Sequence, residues 1–264
     1  MSGYYIGVDG KARKVKGCYI GIDGKAHKVK KGYIGVNGVA RLCYALFDGD
    51  PVFANNTWEK IALACETGNV PETWAVGDQK TMTINGTNYT VDIIGKNHDD
   101  YSNNSGKAPL TFQLHDCYGT AYMMSSVGNN TKGWGNSDMR STHLPSILAL
   151  MPAEVRAKIK EVNKITTTGN KSSTTATTAD KLFLLSEIEV FGSNTKSHPG
   201  EGTQYAYYKS GNSKAKKRSG TSSIWWERSP EKDNKYNYCS VATDGVPNTN
   251  SPDAAYGVSF AFCF

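Results

Sequence analysis

Six cysteines occur in the sequence, yet no two form a Cys-x-x-Cys pair, which removes a zinc ribbon and a thioredoxin-type redox motif. Cys18, Cys43, Cys65, Cys117, Cys239 and Cys263 stand among apolar or strand-forming neighbours, as in Phe262-Cys263-Phe264. They read as small buried hydrophobes. A bridge between Cys239 and Cys263 stays open, because both fall in the C-terminal strands. No apolar run approaches the roughly 20 residues that a bilayer crossing needs, so no membrane insertion is expected. The start, Met1-Ser2-Gly3-Tyr4, lacks a basic stretch ahead of an apolar one, and synthesis in a cytoplasm without a signal peptide is expected. Catalytic fingerprints are missing as well: there is no Gly-x-Ser-x-Gly, P-loop, His-Glu-x-x-His or dinucleotide motif. The chain therefore reads as a binding protein and not an enzyme, with no catalytic residue and no cofactor.

Acidic residues are scarce at one end. Residues 1–43 hold nine basic residues against only Asp9 and Asp23, a net +7, while the rest carries 21 basic against 22 acidic ones, a net −1. That basic segment is an internal repeat. Tyr5-Ile-Gly-Val-Asp-Gly-Lys-Ala-Arg-Lys-Val15 returns from Tyr19 to Val29, and a third copy runs from Tyr33 to Leu42, each 14 residues after the last. Every copy places Asp-Gly or Asn-Gly between two short strand patterns, the dipeptides that accept φ > 0 in a two-residue hairpin turn. Single hairpins are marginal in water, so these three are expected to stack on each other or on neighbouring chains, as a docking or oligomerising element. Nucleic acid is not the expected partner, because aromatic and basic residues are not interleaved as a stacking groove requires.

Beyond residue 44 the pattern is mixed. Asn56, with Glu59 three residues later, predicts a capping box and a helix over 58–67 closed by Gly68. Strands are expected over 81–84 and 89–94, joined at Asn85-Gly86, and over 110–114. Residues 144–150 and 153–162 read as helices, with Pro152 at a first-turn position. Residues 181–191 fit a strand or a helix–strand junction equally. The Thr/Ser-rich stretches 166–178 and 210–223 read as surface loops. Strands over 238–243 and 258–264 close the chain, the last with Val258, Phe260, Phe262 and Phe264 on one face.

Four stretches carry a resemblance. Trp225-Trp226-Glu227-Arg228-Ser229-Pro230, the ending Tyr256-Gly-Val-Ser-Phe-Ala-Phe-Cys-Phe264, Asp180-Lys-Leu-Phe-Leu-Leu-Ser-Glu-Ile-Glu-Val-Phe191 and Gly135-Asn-Ser-Asp-Met-Arg140 all stand within residues 50–264. Together they resemble an uncharacterised domain family of gut Firmicutes and their phages, with a Trp-Trp-x-Arg-Ser-Pro … Gly-Val-x-x-Ala-Phe-Cys signature. The 14-residue repeats look like those placed ahead of this domain in phage tail proteins. The resemblance implies an α+β class and a C-type-lectin-like fold, the one shared by formylglycine-generating enzymes and by the variable proteins of diversity-generating retroelements. It divides the chain into β-hairpin repeats at 1–43 and a recognition domain at 44–264.

The function that this resemblance implies is that of a receptor-binding protein of a phage tail tip or prophage, located on a virion or cell surface. Its ligand would be a bacterial surface protein or glycan, and residues 1–43 would dock on virion or tail proteins. A homo-oligomer is expected, a trimer by analogy with tail fibres. The alternatives are a bacterial surface adhesin and a formylglycine-generating-like oxidase. The oxidase would need Cys239 and Cys263 as a reactive pair, but apolar surroundings quiet a thiol.

The expected ligand face lies between the Trp-Trp motif and the last strand, where Tyr, Asn and Ser concentrate as they do in paratopes. Its candidates are Trp226, Glu227, Asn234, Tyr236, Tyr238, Ser240, Asn248, Asn250 and Tyr256. Alternation would turn Cys239 and Val241 inward and leave Tyr238 and Ser240 on an exposed face. The bland reading of the same residues is a turn-rich loop, and of the motif a buried Trp225 with Arg228 tied to Glu187 or Glu189. Calcium-dependent sugar binding is disfavoured, since the chain offers only Val246-Pro-Asn and Ser251-Pro-Asp. A metal set of His98, Asp99, Asp100, His115 and Asp116 reads instead as satisfied strand ends, so no metal is expected.

Overall fold

The structure, a computed structural model, describes residues 5–14, 18–29, 31–45 and 49–264. Met1-Ser2-Gly3-Tyr4, Val15, Lys16 and Lys30 lie outside the described residues, as does the side chain of Cys43. The chain divides into two units, Met1–Trp74 and Ala75–Phe264. The described residues hold many strands and a few short helices, a mixed α+β class. Among the described residues no helix is long and apolar enough to cross a membrane.

In the first unit each repeat is an antiparallel hairpin: Tyr5–Val8 with Lys11–Lys14, Tyr19–Ile22 with Lys25–Lys28, and Lys31–Val36 with Val39–Ala45. The turn residues Asp9, Asp23 and Asn37 have φ of 50°, 50° and 51°, and the following glycines 73°, 72° and 75°. Both are positive, as the mirror-image hairpin turn demands, and glycine adopts such angles without penalty. The helix Trp58–Glu66 takes a different cap from the one its capping box predicts, because Thr57 and not Asn56 caps it through the Lys60 amide. Asn56 is spent elsewhere: its amide donates to the carbonyls of Asp50, Val52 and Phe53, and its carbonyl accepts from the Asp50 amide.

A five-stranded antiparallel sheet forms the core of the second unit. Its order is Leu182–Phe183, Ala261–Cys263, Leu110–Leu114, Thr87–Lys96 and Gln79–Ile84. Residues 258–264 are buried on both faces, and the Phe262 and Phe264 rings meet edge-to-face at 5.7 Å. The C-terminal strand is an interior one. The same unit holds a three-stranded sheet, Trp225–Pro230, Tyr238–Val241 and Pro247–Asn250.

Four expectations need correction, the first that residues 210–223 are a loop: they hold a short hairpin, Lys216–Arg218 with Thr221–Ser223. The Thr-rich stretch is no loop but a long hairpin, Val162–Gly169 with Ser172–Asp180, turning at Asn170 and Lys171, both with positive φ. β-Branched threonines suit strands, and their polarity hid this from a reading based on apolar periodicity. The helix after Pro152 spans only Ala153–Arg156, and Val162 already belongs to the hairpin. Residues 181–191 resolve into a strand, Leu182–Phe183, and then a helix, Glu187–Phe191, whose capping box is Ser186 with Glu189.

Candidate functional site

Arg228 holds the centre. The strand Trp225–Pro230 shifts register between Trp226 and Pro230, which frees residues 227–229 from the ladder and turns the Arg228 guanidinium inward. It is wholly buried, and each of its nitrogens finds an acceptor. Nε donates to Thr166 Oγ1 at 2.9 Å, Nη1 to the Leu184 carbonyl and Glu189 Oε2, and Nη2 to Glu189 Oε1 and the carbonyls of Ile165 and Glu201. Of the two carboxylates proposed for it, Glu189 is the partner. Glu187 instead accepts from the backbone and hydroxyls of Thr195 and Ser197 and from the Lys196 amide.

The network continues outward through Lys164, whose ammonium donates to Glu189 at 2.6 Å, Asp99 at 2.8 Å and the Tyr205 hydroxyl at 3.2 Å. Burial pushes the Asp99 carboxyl up, but Lys164 and the Thr111 hydroxyl outweigh it and hold it at about 2. Burial likewise raises Glu189, and Arg228 and Lys164 bring it below its ordinary value. His98, Asp99 and Glu189 converge within 4.8 Å, yet the Lys164 ammonium already stands between the two carboxylates, as a cation would. The five-residue metal set does not assemble: Asp100 pairs with Lys107, Asp116 accepts from the Lys217 amide, and His115 Nδ1 meets buried Asp92 at 2.8 Å.

Glu227 is the exception in this network. Both of its oxygens are buried without a hydrogen-bond partner among the described residues, and burial, aided by Glu187, raises its carboxyl well above the ordinary range. A buried carboxyl in that position is neutral.

The predicted ligand residues do come together, but in two layers. Trp226, Ser240 and Asn248 lie directly opposite one another across the three strands, as do Tyr238 and Asn250. All therefore share one sheet face, opposite Cys239 and Val241 as alternation required. That face is covered over Trp226, Tyr238 and Ser240, which are fully buried and closed to a ligand, as is Glu227 within the register shift. Tyr256 covers Trp226 edge-to-face at 5.2 Å, and Asn250 Nδ2 donates to Ser240 Oγ at 2.8 Å. The accessible layer is Asn234, Asn248, Asn250 and Tyr256, half-buried, and Tyr236, 55% exposed. Cys239 and Cys263 are free thiols, both fully buried and raised by burial. That is the opposite of what a reactive pair needs. Cys65 and Cys117 are buried as expected, and Cys18 is half-buried.

Asn130 positions the exposed loop, and nothing in the local sequence marks it. Its side-chain amide reaches the carbonyls of Glu231, Asn234 and Asn237, and its carbonyl oxygen accepts from the Asn170 amide at 2.8 Å. Nearby, Asp180 collects Arg140 at 2.5 Å and Trp134 Nε1 at 2.9 Å, which explains why Gly135-Asn-Ser-Asp-Met-Arg140 and Asp180 belong to one pattern.

No curated protein and no solved structure matches the chain. A family model described as a domain of unknown function, DUF6273, matches residues 112–264. That span takes in the Asn130 loop anchor, the Arg228 centre and all nine predicted ligand residues. Matched in this way over more than half of its length, the chain belongs to the DUF6273 family.

Proposed function

We propose that this chain is a recognition protein and not a catalyst, a receptor-binding protein of a phage tail tip or prophage that reads a bacterial surface ligand. In this reading residues 44–264 are a C-type-lectin-like domain of the kind used by retroelement variable proteins. One observation carries it. A Tyr- and Asn-bearing face is presented on a rigid support, with Tyr236 exposed on a loop that Asn130 holds by three hydrogen bonds. Rigid aromatic area with adaptable amides around it is the chemistry of a paratope. Behind it, the buried Arg228 network supplies stiffness and presents no reactive group to the surface.

The hairpins supply multiplicity. Tyr19, Ile20, Ile22, Tyr33, Ile34 and Val39 are exposed, more apolar surface than isolated two-stranded ribbons tolerate in water. Further copies of this chain, or a virion protein, would cover them, and linked weak sites then gain by effective concentration.

The test is binding of the purified full chain to a panel of intact bacterial cells and their extracted surface glycans. Saturable binding to a few strains, lost in Tyr236→Ala/Asn250→Ala with the melting temperature unchanged, supports the reading. Unchanged binding in that variant overturns the site, and no binding to any strain overturns the function.

A further inference from the structure

The groove between residues 131–136 and the Val162–Gly169/Ser172–Asp180 hairpin is the place where polar groups with spare hydrogen-bonding capacity converge. It encloses about 260 Å³, at the small end for ligand pockets, which hold roughly 300–1,000 Å³. One ring-sized unit fits such a space.

Its walls are fixed by backbone. Gly133 (φ 57°) and Gly169 (φ 81°) occupy the left-handed region, and each brings one wall against the other. A Cβ at Gly133 would stand 2.8 Å from the Thr168 carbonyl, and one at Gly169 would collide with the Asn130 carbonyl. The spacing of the two walls is thus set before any ligand arrives.

The lining is rich in hydroxyls and carries no carboxylate. Thr166 and Thr168 on one strand and Ala176 and Thr178 on the other line the groove, with Thr166 opposite Ala176. Ala176 interrupts a run of threonines at a position where a larger side chain would fill the space. Thr166 Oγ1 accepts from Arg228 Nε, so its own hydrogen is left to donate. Thr178 Oγ1 donates to Asp180, so its lone pairs are left to accept. The Thr168 hydroxyl and the Asn136 amide belong to exposed residues and are open to a ligand. The single charge in the lining, Lys132, is neutralised by Asp138 at 3.1 Å.

We propose that this groove binds one neutral sugar residue. Groups that can donate and accept at once, set around a small uncharged space, match hydroxyls, which also do both. An anion would find no unpaired cation in that lining, and a metal ion no carboxylate. The assignment rests on the recognition reading for its source, a surface glycan, but not for its geometry. It lies beside the Tyr236 loop, because Asn130 ties both the loop and the hairpin turn.

The experiment titrates the full chain with glucose, galactose, N-acetylglucosamine and glucuronic acid by calorimetry, alongside the cell-binding assay. Ala176→Tyr fills the groove from an exposed strand position, and Asn136→Ala removes one polar group without touching the core. The expected result is saturable binding of a neutral sugar, weakened at least about tenfold in Ala176→Tyr, which corresponds to about 1.4 kcal/mol. A smaller loss is expected in Asn136→Ala, and none in Tyr236→Ala. Equal binding in Ala176→Tyr with an unchanged melt, a preference for glucuronic acid, or no saturation by any neutral sugar overturns the assignment. If the groove variants keep cell binding while Tyr236→Ala loses it, the groove fails and the recognition reading stands. If the sugar is lost from Ala176→Tyr but no cell is bound, the groove stands and the recognition reading fails.

Discussion

The side-chain amide of Asn130 donates to the main-chain carbonyl of Asn237 at 2.8 Å, across 107 residues of sequence. Two further carbonyls of the same loop, those of Glu231 and Asn234, share that amide. The loop is thereby tied at three points to a residue far from it in sequence.

Asn130→Ala removes these three bonds and the one that its carbonyl oxygen accepts from the Asn170 amide. A loss of about 2–3 kcal/mol in unfolding free energy is expected, since each lost hydrogen bond is worth about 0.5–1.5 kcal/mol. Urea denaturation measures it. Cell binding should weaken in proportion to the freedom given to Tyr236, while Tyr236→Ala itself leaves the denaturation midpoint in place.

Arg228→Lys keeps the charge and loses the planar fork. One ammonium cannot serve Glu189, Thr166 and the carbonyls of Leu184, Ile165 and Glu201 at once, so the change is not conservative. Breaking a buried pair costs about 3–5 kcal/mol. Thermal unfolding should show Arg228→Lys far below the parent, and Arg228→Ala lower still.

Glu227→Gln addresses pH. The folded state keeps the Glu227 proton, whereas the unfolded chain releases it near the ordinary value of 4.5. Stability is therefore complete below that pH and falls as pH rises above it, until the folded carboxyl ionises as well. Glutamine has the shape of the neutral acid and no proton to lose. Stability measured from pH 5 to 9 should decline less steeply in Glu227→Gln, and a parallel decline would refute a neutral Glu227. Glu201, also raised by burial, keeps a slope in both proteins.

Tyr238→Phe deletes a buried hydroxyl that has no partner among the described residues. Removing such a group relieves its desolvation penalty, so stability should hold or rise by about 1 kcal/mol. A loss of more than that on thermal unfolding would mean that the hydroxyl is satisfied.

Much of the local structure was written in short-range chemistry. Asp-Gly and Asn-Gly fixed the three hairpin turns and the one at Asn85-Gly86, because only a few residue types accept positive φ there. The Arg228–Glu189 pair was legible too, since a buried guanidinium requires a carboxylate and the 181–191 stretch offered two. Alternation correctly put Tyr238 and Ser240 on the same side, opposite Cys239 and Val241. It could not say whether that side was wet, because burial there depends on what packs over the face, as Tyr256 does over Trp226.

The sequence alone determined what is periodic and local: turns, strand faces and the basic repeat. Tertiary structure decided the rest. It turned the threonine-rich stretch into a hairpin, filled the space between Asp99 and Glu189 with Lys164, and set Asn130 under a loop 107 residues away. Except for the hairpin, which is local and was hidden by the polarity of its threonines, each of these rests on a contact between distant segments, which residue order marks only where, as at Arg228, a buried charge demands a partner.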